Sequence, residues 1–437
     1  MRYIIDVTQL VHWPGHLTGI PRVMDELALR FLSDETNEVL FVSWVKEKRA
    51  MCTLNFGTTR SLRGSHIDFI KNGKSDTPRV VEASSSHQSP TILSSAKRFT
   101  KKAVKKVAAK SRIDRTIFYQ RIKTARRSIE LQSYTEYTPL SGDKFFIPWG
   151  EWWDKNWLDL IVDFSTKKVD IYPICHDILP MIVPHFSGNS ASLENFVRQV
   201  FPISKSIITP SESTKNDLAS WMNHEKLTVP PIRTFRLGED FSFKKSNLDS
   251  KEMSKKYAVQ KDNFIIYVST IEPRKNHSIL YYTYKLAAER GIKLPRLLIV
   301  GRVGHDTSQI IQLLKTDNDV NSLISIENNV DDSDLNWLYQ NCRFTIMPSF
   351  YEGWGMSVIE SISRGKPAVV SNTSSLLEMP DDCVIRFNPA STDECLAAIQ
   401  EMSKPATLKR YREAANAYKT HSWDDSYQQI LHILEEK

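Results

Sequence analysis

Two α/β doubly wound domains are predicted from three observations. The chain has 437 residues, too many for one ordinary core. Short β-branched runs alternate with helical apolar spacing on both sides of a polar stretch at 244–256. In each half, the chemically distinctive residues fall where a predicted strand ends, which is where open α/β sheets bind ligands.

The first half opens with the strand Tyr3–Val7 and a loop through Gly19. A helix over Val23–Leu32 and a second strand over Leu40–Trp44 follow. Lys144–Pro148 and Lys168–Cys175 read as further strands, the latter ending at His176-Asp177. Ser206–Ser211 reads as a strand whose terminal serine caps the helix Glu212–Met222, and Thr234–Glu239 closes the half. The second half has predicted strands at Phe264–Thr270, Arg296–Gly301, Ile324–Glu327, Phe344–Pro348 and Pro367–Ser371. Trp423–Leu434 is a final amphipathic helix. The expected domains are 1–243, 257–420 and a C-terminal segment 421–437 packing back on the first domain, with 244–256 as linker.

Residues 70–132 interrupt the alternation. Ser84–Pro90 reads as a loop. Lys97–Arg127 holds 13 Lys or Arg and one acidic residue, Asp114. That net +12 exceeds the +7 of the whole chain, so the remainder is net negative. Val104, Val107, Ala108, Ile113, Ile117, Phe118 and Ile122 give the segment an apolar stripe, and it is predicted to be an inserted basic amphipathic helical arm. An anionic membrane surface fits it best. Contact with another protein is the main competitor, and no nucleic-acid reader motif accompanies the charge.

Apolar content of 41% and charged content of 25% are those of a globular protein. No apolar run approaches 18 residues, so no transmembrane helix is expected. The opening residues turn polar at once, so no signal peptide is expected. Five scattered cysteines without a C-x-x-C pair argue for a reducing compartment and against structural zinc. The expected location is cytoplasmic, peripheral on the inner face of the plasma membrane.

The most informative stretch is Pro348–Glu360. It sets Glu352 and Glu360 around a Gly-x-Gly turn that opens an apolar helix. Such a turn offers backbone N–H groups and a positive dipole end to an anion, and the carboxylates suit hydroxyls. Arg274 and Lys275, after the first strand of the same domain, supply the cations that a phosphate needs. The run Asp331–Asp334 contains a D-x-D triplet, but it reads as a helix N-cap and not as a metal site. The cluster Trp149, Trp152, Trp153 and Trp157 reads either as a carbohydrate-stacking platform or as apolar packing under a loop.

These pieces resemble the GT4-type family of retaining glycosyltransferases with the GT-B fold, two Rossmann-like domains facing across a cleft. The match is carried by Glu352-Gly-Trp-Gly-Met-Ser-Val-Ile-Glu360 and Pro273–Asn276. Val300-Gly301, Val330–Leu335, His176–Pro180, Thr209–Ser211 and Leu237-Gly238 add to it. The resemblance spans nearly the whole chain except about 50–140. It implies that Arg274 and Lys275 hold the donor diphosphate, helped by the N–H groups of Gly355, Met356 and Ser357. Glu352 would accept from the donor sugar, Glu360 would bind the ribose and Val330 would lie along the base. Gly19 would face the donor from the other domain. His176, charged or neutral, would touch the sugar or else be a capped structural residue.

The activity so implied is transfer of a hexose, mannose or a related sugar favoured, from a nucleotide sugar to a lipid-linked glycan in surface-polysaccharide synthesis. A GDP-linked donor is favoured over UDP or dTDP, with neither a metal nor a prosthetic group. The alternatives are a non-catalytic scaffold protein and a synthase with a soluble acceptor.

Overall fold

The computed structural model describes residues 1–13, 19–54, 134–186, 190–240, 249–328 and 330–436. The expected loop at Ser84–Pro90 and the basic arm at 97–127 lie outside these residues.

Among the described residues there are 14 strands. The first half holds β1 (Arg2–Asp6), β2 (Glu38–Val45), β3 (Ala50–Thr53), β4 (Thr135–Glu136), β5 (Lys144–Ile147), β6 (Asp170–Pro173), β7 (Ile207–Thr209) and β8 (Ile232–Thr234). The second half holds β9 (Phe264–Val268), β10 (Arg296–Val300), β11 (Ile324–Glu327), β12 (Thr345–Met347), β13 (Ala368–Ser371) and β14 (Val384–Phe387).

The first sheet has the order β4-β3-β2-β1-β5-β6. Its β2, β1, β5 and β6 run parallel, and β3 and β4 are antiparallel at one edge. A bridge from Ile174 to Ile208 joins it to the parallel pair β7-β8. The second sheet is parallel throughout, with the order β11-β10-β9-β12-β13-β14. Each order reverses once, between β1 and β5 in the first sheet and between β9 and β12 in the second. At such a reversal, neighbouring loops leave in opposite directions and open a crevice at the strand C-termini.

The strands are nearly all apolar because helices cover both faces. Tyr3, Ile5 and Phe146 point to one side of the first sheet, where the Ile20–Ser33 helix packs. Ile4, Phe145 and Ile147 point to the other, against Trp157, Ile161 and Phe164. In the second sheet Ile265, Tyr267, Leu297 and Ile299 form one core, and Phe264, Ile266 and Leu298 another.

The helix Trp423–Glu435 packs on the first half. Trp423 lies against Gly238, and Tyr427 meets the Phe31 ring edge-on at 5.0 Å. Tyr427 also donates to Asp34 at 2.8 Å, and Tyr3 donates to Glu435 at 3.0 Å. The predicted linker is corrected in part. Ser250–Lys256 is a helix, started by Asp249 and Glu252 in a reciprocal capping box, and its Met253 and Tyr257 are buried in the second half. Its high charge disguised one short apolar face. Among the described residues, no helix is long and apolar enough to cross a membrane.

Candidate functional site

The loops after β9 and β12 meet at the reversal of the second sheet. After β9 the chain makes a short 3-10 turn, Pro273–Lys275, and Asn276 takes a left-handed conformation with φ 55°. The Asn276 side chain secures that turn by donating to the carbonyls of Pro348 (3.1 Å) and Pro389 (2.8 Å). Tyr267 donates to the Lys275 carbonyl at 2.7 Å. Arg274 and Lys275 are thus aimed by backbone held at three points.

Both cations converge on Glu352. Lys275 Nζ lies 2.6 Å from Oε1, and an Arg274 terminal nitrogen lies 3.0 Å from Oε2. Arg274 also pairs with Glu272 at 2.7 Å and donates to the Tyr351 carbonyl at 2.6 Å. Burial pushes the Glu352 carboxyl up, but Lys275 and Arg274 outweigh it and hold it at about 2. Burial also pushes the Lys275 ammonium down, with Glu352 opposing.

The Gly-x-Gly turn is shaped by two glycines with different reasons. Gly355 sits at φ 113°, a conformation costly for other residues, and starts the helix Met356–Ile362. Its first-turn N–H groups lack intrahelical acceptors. Gly353 is needed for close approach, since a Cβ there would lie 2.4 Å from the His176 carbonyl oxygen. Ser374 and Ser375 brace the loop. Ser374 accepts from the Glu352 N–H (2.9 Å), and the Ser375 hydroxyl lies 2.8 Å from both the Glu352 and Trp354 carbonyls, which share its one proton.

Gly353 also joins the two halves. Its carbonyl accepts from Ser211 Oγ at 2.8 Å. Tyr351 donates to Asp217 at 2.6 Å, and Glu378 accepts from the N–H groups of Glu212 (3.1 Å) and Ser213 (2.8 Å), capping a helix across the boundary. Phe186 stacks on Phe350 at 5.2 Å. Arg22, on the Ile20–Ser33 helix behind Gly19, reaches Glu360 at 2.8 Å.

Of the residues expected to act together, Arg274, Lys275, Glu352, Gly355, Met356 and Ser357 lie in these two facing loops and the first turn of the helix. His176 is brought against them through its backbone. Its ring is half-buried, and Nε2 donates to the Pro148 carbonyl at 2.8 Å, which places the proton on that nitrogen. Burial lowers its pKa to about 4, with the Pro148 carbonyl opposing, which favours the neutral imidazole of the two forms expected.

Glu360 lies one helical turn deeper, buried, accepting from Tyr339 at 3.0 Å as well as from Arg22. Val330 precedes the helix Asp332–Asn341 and packs against the core beneath it. The D-x-D run behaves as expected of a cap, with Asp331 accepting from the Asp334 N–H at 2.8 Å. Gly19, at φ 59°, precedes the first residue of its helix and leaves open space beside its Cα. Trp157 is wholly buried core and is removed from any platform, whereas Trp153 is 53% exposed.

Arg22, Tyr339, Asp217, Ser374 and Ser375 were not foreseen, whereas Ser211 caps its helix as expected, accepting from the Thr214 N–H at 3.0 Å. Arg22 follows a Gly-Ile-Pro start, where proline favours a helix N-terminus, so its position near the cleft was readable. The others act by distant pairing and carry no local signal.

Similarity to known proteins agrees with this arrangement. The family profile described as glycosyl transferases group 1 matches residues 249–419. The O-antigen chain mannosyltransferase B of Escherichia coli is 27% identical over 265 residues, covering 59% of this chain and 68% of that protein. The serotype-specific mannosyltransferase WbdA of Escherichia coli is 26% identical over 221 residues, 49% of this chain but 27% of its own greater length. Among solved structures, Anabaena HepE in complex with UDP-glucose superposes with a TM-score of 0.58 at 14% identity, covering 99% of both chains. Residues 249–419 therefore form a glycosyl transferases group 1 domain, and the chain is a glycosyltransferase with the GT-B fold.

Proposed function

We propose that this protein transfers mannose from a nucleotide-linked donor, GDP-mannose favoured, to a hydroxyl of a growing glycan, with retention of anomeric configuration. The observation that carries the donor site is the pair Arg274 and Lys275, fixed by Glu352 beside the Gly355 turn and facing the other half of the molecule. Cations held in place by buried partners need not reorganise as charge grows on a leaving group. In this reading Arg274, Lys275 and the N–H groups of Gly355, Met356 and Ser357 take the diphosphate. Glu352 accepts from hydroxyls of the transferred sugar. Glu360 binds the ribose, which requires the Arg22 contact to be shared or released, and Val330 lies along the base. Gly19 and the neutral His176 border the sugar from the first half.

The bond from sugar C1 to the diphosphate breaks, and the acceptor oxygen bonds to C1 on the same face. The departing phosphate takes the acceptor proton. This route needs no protein nucleophile. Mannose and the polysaccharide setting rest on the names of the relatives, whose matched segments include O-antigen mannosyltransferases. A lipid-linked acceptor on the cytoplasmic face of the membrane rests on the charge of 97–127. The domains proposed are 1–243, 250–420 and 421–437, the second extended from its expected start at 257 because Met253 packs in its core.

A thermal-shift series with GDP, UDP, dTDP and ADP tests the donor. GDP is expected to raise the melting temperature most, and a response to none of the four would contradict the reading. Neutralising six basic residues within 97–127 is expected to abolish sedimentation with anionic phosphatidylglycerol vesicles. Unchanged sedimentation would remove the membrane from the account.

A further inference from the structure

The first sheet has its own reversal, between β1 and β5. Asp6 ends β1, and Gln9 follows one turn later. Pro148, Trp149 and Glu151 follow β5. Trp13, Trp149, Trp152 and Trp153 form a row, with successive ring centroids 5.9, 5.9 and 5.4 Å apart and planes tilted by 53°, 47° and 80°. The tilts prevent the rings from stacking continuously on each other. Trp152 is anchored underneath by Phe196, 6.0 Å away and nearly parallel. Trp153, 53% exposed, leaves much of its indole in solvent, where packing alone does not place it.

Polar groups line the same crevice. Gln9 Nε2 donates to Glu151 Oε1, and Trp153 holds the same carboxyl. Asp6 is wholly buried and accepts from the Thr8 N–H at 2.9 Å. Among the described residues, the Trp149 Nε1–H is shielded from solvent and has no acceptor. Burial and the neighbouring Asp6 push Glu151 up to about 7, so near neutrality it both donates and accepts hydrogen bonds. The row is continuous with the donor loops. Pro148 holds the His176 ring, and the His176 carbonyl abuts Gly353.

We infer that Trp13, Trp149, Trp152 and Trp153, with Gln9 and Glu151, form the subsite that binds the pyranose rings of the acceptor glycan. A pyranose presents an apolar C–H face and a rim of hydroxyls. Indole faces beside a carboxyl and an amide match both. The occupant follows from place as well as chemistry. The crevice opens beside the proposed donor sugar, and an acceptor hydroxyl must arrive from there. This identification rests on the glycosyl-transfer reading of the facing loops.

Calorimetric titration of the full chain with α-linked mannotriose, with and without saturating GDP, tests it. Wild type is expected to bind the trisaccharide. Trp153→Ala is expected to weaken that binding about tenfold, with Trp153→Phe recovering most of the loss. GDP affinity should stay unchanged in both variants, since Trp153 lies outside the donor loops. Equal trisaccharide affinity in Trp153→Ala and wild type would overturn the subsite, as would wild type that binds GDP but no trisaccharide. Trisaccharide binding that depends on Trp153, with no nucleotide bound, would keep the subsite and sink the donor reading instead.

Discussion

Glu352 and Glu151 are the same residue in corresponding places, each following a strand at the reversal of its sheet. Both are largely withdrawn from water, yet their charges are controlled in opposite ways. Glu352 sits against Lys275 and Arg274 and is held at about 2. Glu151 sits near Asp6 and Asp154, with Lys46 as its opposing cation, and is pushed up to about 7. The second half of the molecule holds fixed charges, which would suit a phosphate. The first half keeps neutral, switchable groups and indoles, which suit an uncharged sugar. Burial is common to both, and the neighbours decide the sign.

The contrast is best broken where the effect is largest. Arg274→Ala is expected to lower turnover by about a hundredfold to a thousandfold, as loss of a preorganised charge stabiliser does. Near wild-type rates in a transfer assay would remove Arg274 from the diphosphate. Glu352→Gln leaves two buried cations short of a partner and is expected to destabilise the fold by about 3 kcal/mol at pH 7. Denaturant unfolding reads this directly, and an unchanged midpoint would mean that the triad is not coupled.

Glu360→Ala is expected to weaken GDP binding about tenfold by calorimetry, from loss of charge-assisted hydrogen bonds to the ribose. Unchanged affinity would take Glu360 off the ribose and leave it as a contact for Arg22 and Tyr339 only.

The smallest effect sharpens the comparison by its sign. A carboxyl held low contributes stability above its ordinary pKa of about 4.3, lost as pH falls toward the folded value. That describes Glu352. A carboxyl held high contributes stability below about 4.3, lost as pH rises through the folded value. That describes Glu151. Glu151→Gln is therefore expected to raise the melting temperature at pH 8 by about 2 °C and to flatten its decline between pH 5 and 8. A fall in melting temperature at pH 8 would show that Glu151 is charged and paired.

Much of the second half was legible in sequence because its chemistry is local. Gly353, Gly355, Glu352 and Glu360 lie within nine residues, and Arg274-Lys275 follow an unmistakable strand. Strands fully buried on both faces read as continuous apolar runs, so most were placed within a residue or two. β3 and β4 were missed because they are short, four and two residues, and β4 is an exposed edge strand. β14 was missed because Arg386 interrupts its apolar run.

Pairing across distance was not legible. Nothing near Glu352 in the chain indicates that it binds Lys275, 77 residues earlier. The lowered pKa of His176 comes from burial by several elements, with the Pro148 carbonyl opposing it. The tryptophans were visible, but their separation into a core residue, Trp157, and an exposed one, Trp153, depended on the turn at Gly150. That glycine lets Trp157 fold underneath, where a Cβ would lie 2.4 Å from its ring.

The central claim is that Arg274 and Lys275 form a site for a diphosphate. Calorimetric comparison of GDP with GMP, on wild type and on Lys275→Ala, tests it most directly. The account predicts that wild type binds GDP at least about tenfold more tightly than GMP, since the second phosphate adds charge-assisted bonds. It predicts that this preference collapses in Lys275→Ala. Equal affinity for GDP and GMP in wild type, or a preference that survives the substitution, would contradict it.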